Sequence, residues 1–153
     1  MTQLADGAEA PDFDLETPDG RVKLADFAGR TLVLYFYPKD DTSGCTREAQ
    51  DFTALADDFA AAGVTVVGVS KDSVASHRKF ATKHGLGVVL ASDPGGTVVE
   101  RYGSWVEKSL YGRKYMGIDR STFLIRDGRI VKSWRKVKVP NHAAQVLAAA
   151  RAA

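Results

Sequence analysis

Leu32-Val33-Leu34-Tyr35-Phe36-Tyr37 is an apolar run lying between Gly29 and Pro38. Branched and aromatic residues in succession, with no polar alternation, describe a strand buried on both faces. Pro38 ends it, because proline cannot donate to a ladder. Asp40-Asp41-Thr42-Ser43-Gly44 follow with turn and capping chemistry. A helix pattern starts at once, and Cys45, the only cysteine, falls in its first turn.

The rest of the chain arranges itself around that strand. Asp12–Glu16 alternates polar and apolar residues and, after a turn at Thr17-Pro18-Asp19-Gly20, Arg21–Leu24 returns as a second short strand. Ala49, Phe52, Leu55, Ala56 and Phe59 recur on one helical face, with Gly63 as a C-terminal cap. Val64–Val69 reads as a strand, and a helix capped by Asp72 or Ser73 runs through Lys83 to Gly85. Val88–Leu90 is a third apolar strand, and Thr97–Tyr102 a short helix after a turn at Asp93-Pro94-Gly95-Gly96. Gly103–Asp119 shows no clean periodicity and reads as a long loop. Thr122–Ile125 is a fourth buried strand, Asp127-Gly128 turns into Ile130–Val137, and Asn141–Ala152 closes as a helix. No repeat, low-complexity tract or long linker interrupts this order. The expectation is one α/β domain over residues 1–153, a sandwich with a central mixed sheet flanked by helices.

Free amides and the positive dipole end at a helix start stabilise an anion, so a thiol placed there ionises readily and becomes a nucleophile. A lone cysteine can also be a small buried hydrophobe. Strand, proline, hydroxyl-bearing turn and helix start together favour the nucleophile.

Pro38-x-x-x-Thr42-x-x-Cys45 resembles the active-site signature of the peroxiredoxins, thiol peroxidases on a thioredoxin-like fold. The resemblance extends to the Q-type, or bacterioferritin-comigratory, branch through Ala10-Pro11-Asp12-Phe13, Gly68-Val69-Ser70-Lys71-Asp72 and Trp105-Val106-Glu107-Lys108. It continues from Tyr111 to Ile118 and through Arg120-Ser121-Thr122-Phe123-Leu124-Ile125. It implies reduction of hydrogen peroxide and organic hydroperoxides with Cys45 as nucleophile and no cofactor or metal. Thr42 would supply a hydroxyl able to accept and donate. Arg120 would supply a permanent cation with a fork of donors, and Pro38 would cover the sulfur. Amides near Gly44 would hold the oxygen under attack. Glu48 would orient Arg120 or stand as a solvated charge.

Two positions depart from the pattern. Gln50 stands where a resolving cysteine is common, five residues after the nucleophile, and the segment Ala75–His84 carries none either. An internal disulfide is excluded, so the resemblance implies a one-cysteine member whose oxidised sulfur needs an external thiol: thioredoxin, glutaredoxin or a low-molecular-weight thiol. Ser43 replaces a common proline. The same fold could instead serve as a redox sensor or holdase, consuming one peroxide and not many.

Charge and composition narrow the partners. The net charge of +2 conceals an acidic first part, 13 acids to 5 bases over residues 1–60, and a basic remainder. After Asp127 six bases and no acids occur, but apolar residues interleave with them and no nucleic-acid motif accompanies them. No apolar run approaches the roughly 20 residues that span a bilayer, and MTQLADGAEAPDF has no secretory character. The expectation is a cytoplasmic monomer without nucleic-acid or membrane partners. His77, His84 and His142 read as helix residues without a carboxylate cluster. A Cys45/His142/Asn141 hydrolase can be drawn but leaves Thr42 and Arg120 without a role. Trp105, Leu110, Tyr111, Tyr115 and Met116 are read as anchoring the long loop to the core. They could also form an apolar collar for alkyl or lipid hydroperoxides, with Arg113 and Lys114 docking an acidic reductant.

Overall fold

Strand β3 (Thr31–Phe36) is the axis of the computed structural model, which describes residues 4–153. The first three residues of the N-terminal stretch read above lie outside the described residues. From Leu32 to Tyr37 the chain is fully buried, as a strand covered on both faces requires. It pairs in parallel with β4 (Val64–Ser70), Tyr35 facing Gly68, and antiparallel with β8 (Ser121–Arg126), Phe36 facing Ser121. β1 (Asp14–Thr17), β2 (Gly20–Lys23), β5 (Val89–Ser92) and β9 (Arg129–Trp134) complete a seven-stranded mixed sheet of order β2-β1-β5-β4-β3-β8-β9.

Two apolar layers cover the sheet. Alternate residues of β3 divide between them: Leu32, Leu34 and Phe36 face Phe13, Val99, Tyr102 and Phe123, while Val33 and Tyr35 face Phe52, Phe59 and Val146. The second layer is built by α1 (Ser43–Ala54), α2 (Ala56–Ala61), α3 (Val74–His84) and α5 (His142–Ala152). The expected single helix after Cys45 is interrupted at Leu55 (φ −100°, ψ 11°), so α1 and α2 are separate. α3 begins at Ser73, whose hydroxyl accepts from the Ser76 amide, and ends at left-handed Gly85. α4 (Thr97–Arg101) is one short turn.

The expected long loop is instead a hairpin. β6 (Trp105–Leu110) and β7 (Arg113–Ile118) pair antiparallel around a turn at Tyr111-Gly112, both with positive φ (51° and 78°). Trp105 packs against the core, and Ile118 is buried in it. The reading of the other four residues as core anchors fails, since Leu110, Tyr111, Tyr115 and Met116 are exposed. Asp127-Gly128, also with positive φ, makes the expected turn between β8 and β9. No helix among the described residues is long and apolar enough to cross a membrane. The terminal bases are dispersed: Arg129 lies near Glu9, Lys132 over Trp134, Arg135 on Phe123, and Arg151 near Asp58.

Candidate active site

The segment leaving β3 is held from the side by α3. Asp40 is buried and accepts from the Tyr37 hydroxyl at 2.5 Å and from Ser76 at 2.8 Å, and pairs with His77 Nδ1 at 2.7 Å. Its amide donates to Asp72 at 2.9 Å, and His77 Nε2 lies 2.9 Å from the Ala91 carbonyl oxygen. Burial works against the Asp40 charge, but the bonds from His77 and Tyr37 outweigh it and hold the carboxyl below its usual range. Asp41, in a left-handed conformation, pairs with Lys83 and His84, each at 2.8 Å. His77 and His84 each have one carboxylate partner, which the sequence reading did not name. The two acids of the turn are ties to the next helix, a long-range role that turn propensity does not reveal.

With the turn fixed, α1 starts at Ser43 and Cys45 is its third residue. Thr42 occupies the N-cap position without a side-chain cap bond; its hydroxyl donates to the Lys39 carbonyl oxygen at 2.8 Å. Pro38 and Thr42 are both exposed, whereas Cys45 is 2% exposed. Gln50 lies on the exposed side of α1.

Arg120 reaches the sulfur from the opposite side. It sits between β7 and β8, and β8 is the antiparallel neighbour of β3, so its side chain is delivered to the end of β3 where α1 begins. Arg120 Nη2 donates to Cys45 Sγ at 3.3 Å, a bond that a thiolate accepts far better than a thiol. Nη1 donates to Glu48 Oε1 at 2.7 Å. Glu48 is 1% exposed, so it is a buried partner of Arg120 and not a solvated charge. Burial pushes its carboxyl up to about 7 against the pull of the guanidinium, and Oε2 has no partner. Burial also opposes the Arg120 charge, but Glu48 and Cys45 outweigh it and hold the guanidinium above its ordinary value. A side chain at Gly44 would put its Cβ 3.2 Å from Arg120 Nη2, so glycine leaves the guanidinium room beside the helix start.

Lys108 is a second cation that the sequence reading left without a role. It is half-buried on β6, and burial lowers its pKa, while Asp119, Arg120 and Cys45 all act on it through space. His142 does not contact Cys45: its Nε2 lies 2.8 Å from Thr122 Oγ1, and burial, with Arg120 nearby, lowers it to about 4. That removes the hydrolase arrangement. Among the described residues no three His, Cys, Asp or Glu side chains converge as a metal site would require.

A mixed sheet of this order, with a cysteine in the first helical turn after its central strand, is the thioredoxin-like class of fold. Residues 7–133 match the AhpC/TSA family. Peroxiredoxin Bcp of Bacillus subtilis is 48% identical over 143 residues, covering 92% of this chain and 91% of that protein. Peroxiredoxin Bcp of Xanthomonas campestris is 49% identical over 156 residues, covering 99% and 98%. The solved Xanthomonas campestris peroxiredoxin Q superposes with a TM-score of 0.87 at 46% identity, over 92% of this chain and 90% of that one. A bacterioferritin comigratory protein of the same organism, described for its alkyl peroxide reduction activity, gives 0.87 at 45% identity over the same shares. The chain belongs to the AhpC/TSA family and, within it, to the peroxiredoxins, the thiol-dependent peroxidases.

Proposed function

We propose that Cys45 is the peroxide-reducing nucleophile, and the observation that carries this is the Arg120 guanidinium bridging Cys45 Sγ and Glu48. The thiolate attacks one peroxide oxygen in line with the O–O bond. An S–O bond forms as the O–O bond breaks; the sulfur becomes a sulfenic acid and the other oxygen leaves as water or alcohol after taking a proton. Arg120 faces the charge as it moves from sulfur to the leaving oxygen, where a preorganised cation is worth most. Thr42 offers hydroxyl lone pairs to the peroxide proton while its own proton rests on the Lys39 carbonyl. Amides at Gly44 and Cys45 hold the oxygen under attack. Pro38 ends β3 and shapes the mouth of the site, and Glu48 fixes the plane of Arg120.

The substrates are hydrogen peroxide and organic hydroperoxides, the latter supported by the alkyl peroxide activity described for the Xanthomonas campestris relative. A single cysteine leaves resolution to an external thiol, from thioredoxin, glutaredoxin or a small thiol. We read the chain as one domain acting as a monomer in a reducing cytoplasm. Peroxide consumption under excess dithiothreitol tests the assignment. The wild type should turn over many equivalents and Cys45→Ser none, because a serine hydroxyl stays protonated at neutral pH. Appreciable turnover by Cys45→Ser would overturn it.

A further inference from the structure

The hairpin ends in residues that nothing among the described residues covers. In an antiparallel pair, directly opposed residues share a face. The register places Lys108 with Tyr115 and Leu110 with Arg113 on one face, and Glu107 with Met116 and Ser109 with Lys114 on the other. The second face neutralises its own charge, since Lys114 lies 3.6 Å from Glu107. The first carries two cations and no acid. At the tip Tyr111 is 96% exposed and has a φ of +51°, a conformation that a bulky side chain adopts at a cost. This exposed aromatic stands beside exposed Leu110 and Tyr115, and none of the three belongs to the apolar core.

The foot of that face leads to Arg120, which donates to Cys45 Sγ. The Lys108 stem lies against Gly117, whose added Cβ would sit 3.3 Å from Lys108 Cδ, and Gly117 precedes Arg120 by one short connection. Arg120 and Cys45 both act through space on the Lys108 charge. Tyrosine and arginine around an apolar centre are the residue types that interfaces favour.

We propose that the hairpin face carrying Lys108, Leu110, Arg113 and Tyr115, with Tyr111 at its tip, docks a dithiol protein whose reactive thiol is ringed by apolar and acidic side chains. This rests on the reading that oxidised Cys45 is reduced by an external thiol. A low-molecular-weight thiol has no use for such a surface. A protein thiol must be held in register to reach a sulfur this buried, and positive charge around the mouth steers an acidic partner to it. The docked thiolate attacks the sulfenic sulfur of Cys45, an S–S bond forms, and hydroxide leaves and is protonated to water. The second thiol of the docked protein then attacks that protein's own sulfur, closing its disulfide and releasing Cys45 as thiolate. Two electrons pass from dithiol to sulfenic acid.

Tyr111→Ser combined with Arg113→Glu removes the anchor and reverses the charge at the tip of the hairpin. Turnover is compared with dithiothreitol and with a bacterial thioredoxin kept reduced by its reductase and NADPH. The KM for thioredoxin should rise about tenfold or more in the variant, while dithiothreitol-driven turnover stays within about twofold of wild type. An unchanged thioredoxin KM would overturn the proposal, as would equal losses with both reductants, which would put the hairpin in the peroxide step. Unchanged thioredoxin kinetics with lost co-sedimentation on phosphatidylglycerol vesicles would give the face to membranes. The same kinetics with loss of a wild-type dimer in sedimentation would give it to a second copy. Either outcome overturns the docking claim but leaves external-thiol reduction intact. A wild type inactive with both reductants would sink that reading, and the docking face with it.

Discussion

Arg120 divides its donors between a buried carboxylate and the sulfur, so its shape matters as much as its charge. Arg120→Lys keeps a cation but cannot serve both partners from one plane. The rate of peroxide reaction, followed by stopped-flow, should fall about tenfold or more, equivalent to about 1.4 kcal/mol in the barrier. An unchanged rate would hand the role to Lys108. Thr42→Val removes the hydroxyl that meets the Lys39 carbonyl and nearly preserves shape, so activity should drop while the melting temperature barely moves. Thr42→Ser should retain most of the rate; equal impairment in both variants would shift the role to the methyl group. Glu48 has a pH signature. Burial raises its folded carboxyl to about 7, so the folded chain keeps that proton longer than the unfolded chain does. Its contribution to stability is therefore complete below the ordinary glutamate range and is lost as pH rises through about 7. Melting temperatures between pH 5 and 8 should decline more in the wild type than in Glu48→Gln, which keeps an acceptor for Arg120 and cannot ionise. A steeper decline in the variant would contradict this.

Between elements, Tyr35 fits closely over Gly68. A Cβ at Gly68 would meet Tyr35 Cζ at 2.6 Å, while the ring stacks on Phe52 at 4.9 Å and has no room to retreat. Gly68→Ala should lower stability by about 1–3 kcal/mol in denaturant unfolding, the usual cost of overpacking. An unchanged midpoint would mean that β3 and β4 part more easily than their burial indicates. The same elements explain what could be read from sequence. β3, β4 and β8 are buried on both faces and leave uninterrupted apolar runs, and Asp127-Gly128 is a turn pair of known geometry. β6 and β7 left no such trace. Outside Ile118 no residue of either strand is fully buried, so no period of two arises, and Tyr111-Gly112 is an unusual pair for that turn. Within the candidate site, spacing and resemblance named Cys45, Thr42, Pro38 and Arg120, and the structure joins Arg120 to Cys45. The burial of Glu48 was not, because a charge one turn along a helix ordinarily faces water. The ties from Asp40 to His77 and from Asp41 to His84 join residues far apart in sequence, and only the packing of α3 brings them together.

At the scale of the whole molecule, one cysteine sets the order of events. The sulfur is buried under Arg120, no second thiol exists in the chain, and Gln50 faces outward from an intact α1. On the proposed mechanism oxidation of Cys45 stops at a species that waits for an outside thiol, and excess peroxide drives it further up the oxidation ladder. Mass spectrometry after one equivalent of peroxide, without added thiol and with dimedone present, reads that species directly. The expected product is a monomer bearing a single dimedone label on Cys45, and a single added oxygen when dimedone is omitted. Rapid, complete conversion to a disulfide-linked dimer, or a sulfur that stays unmodified while peroxide disappears, would contradict it.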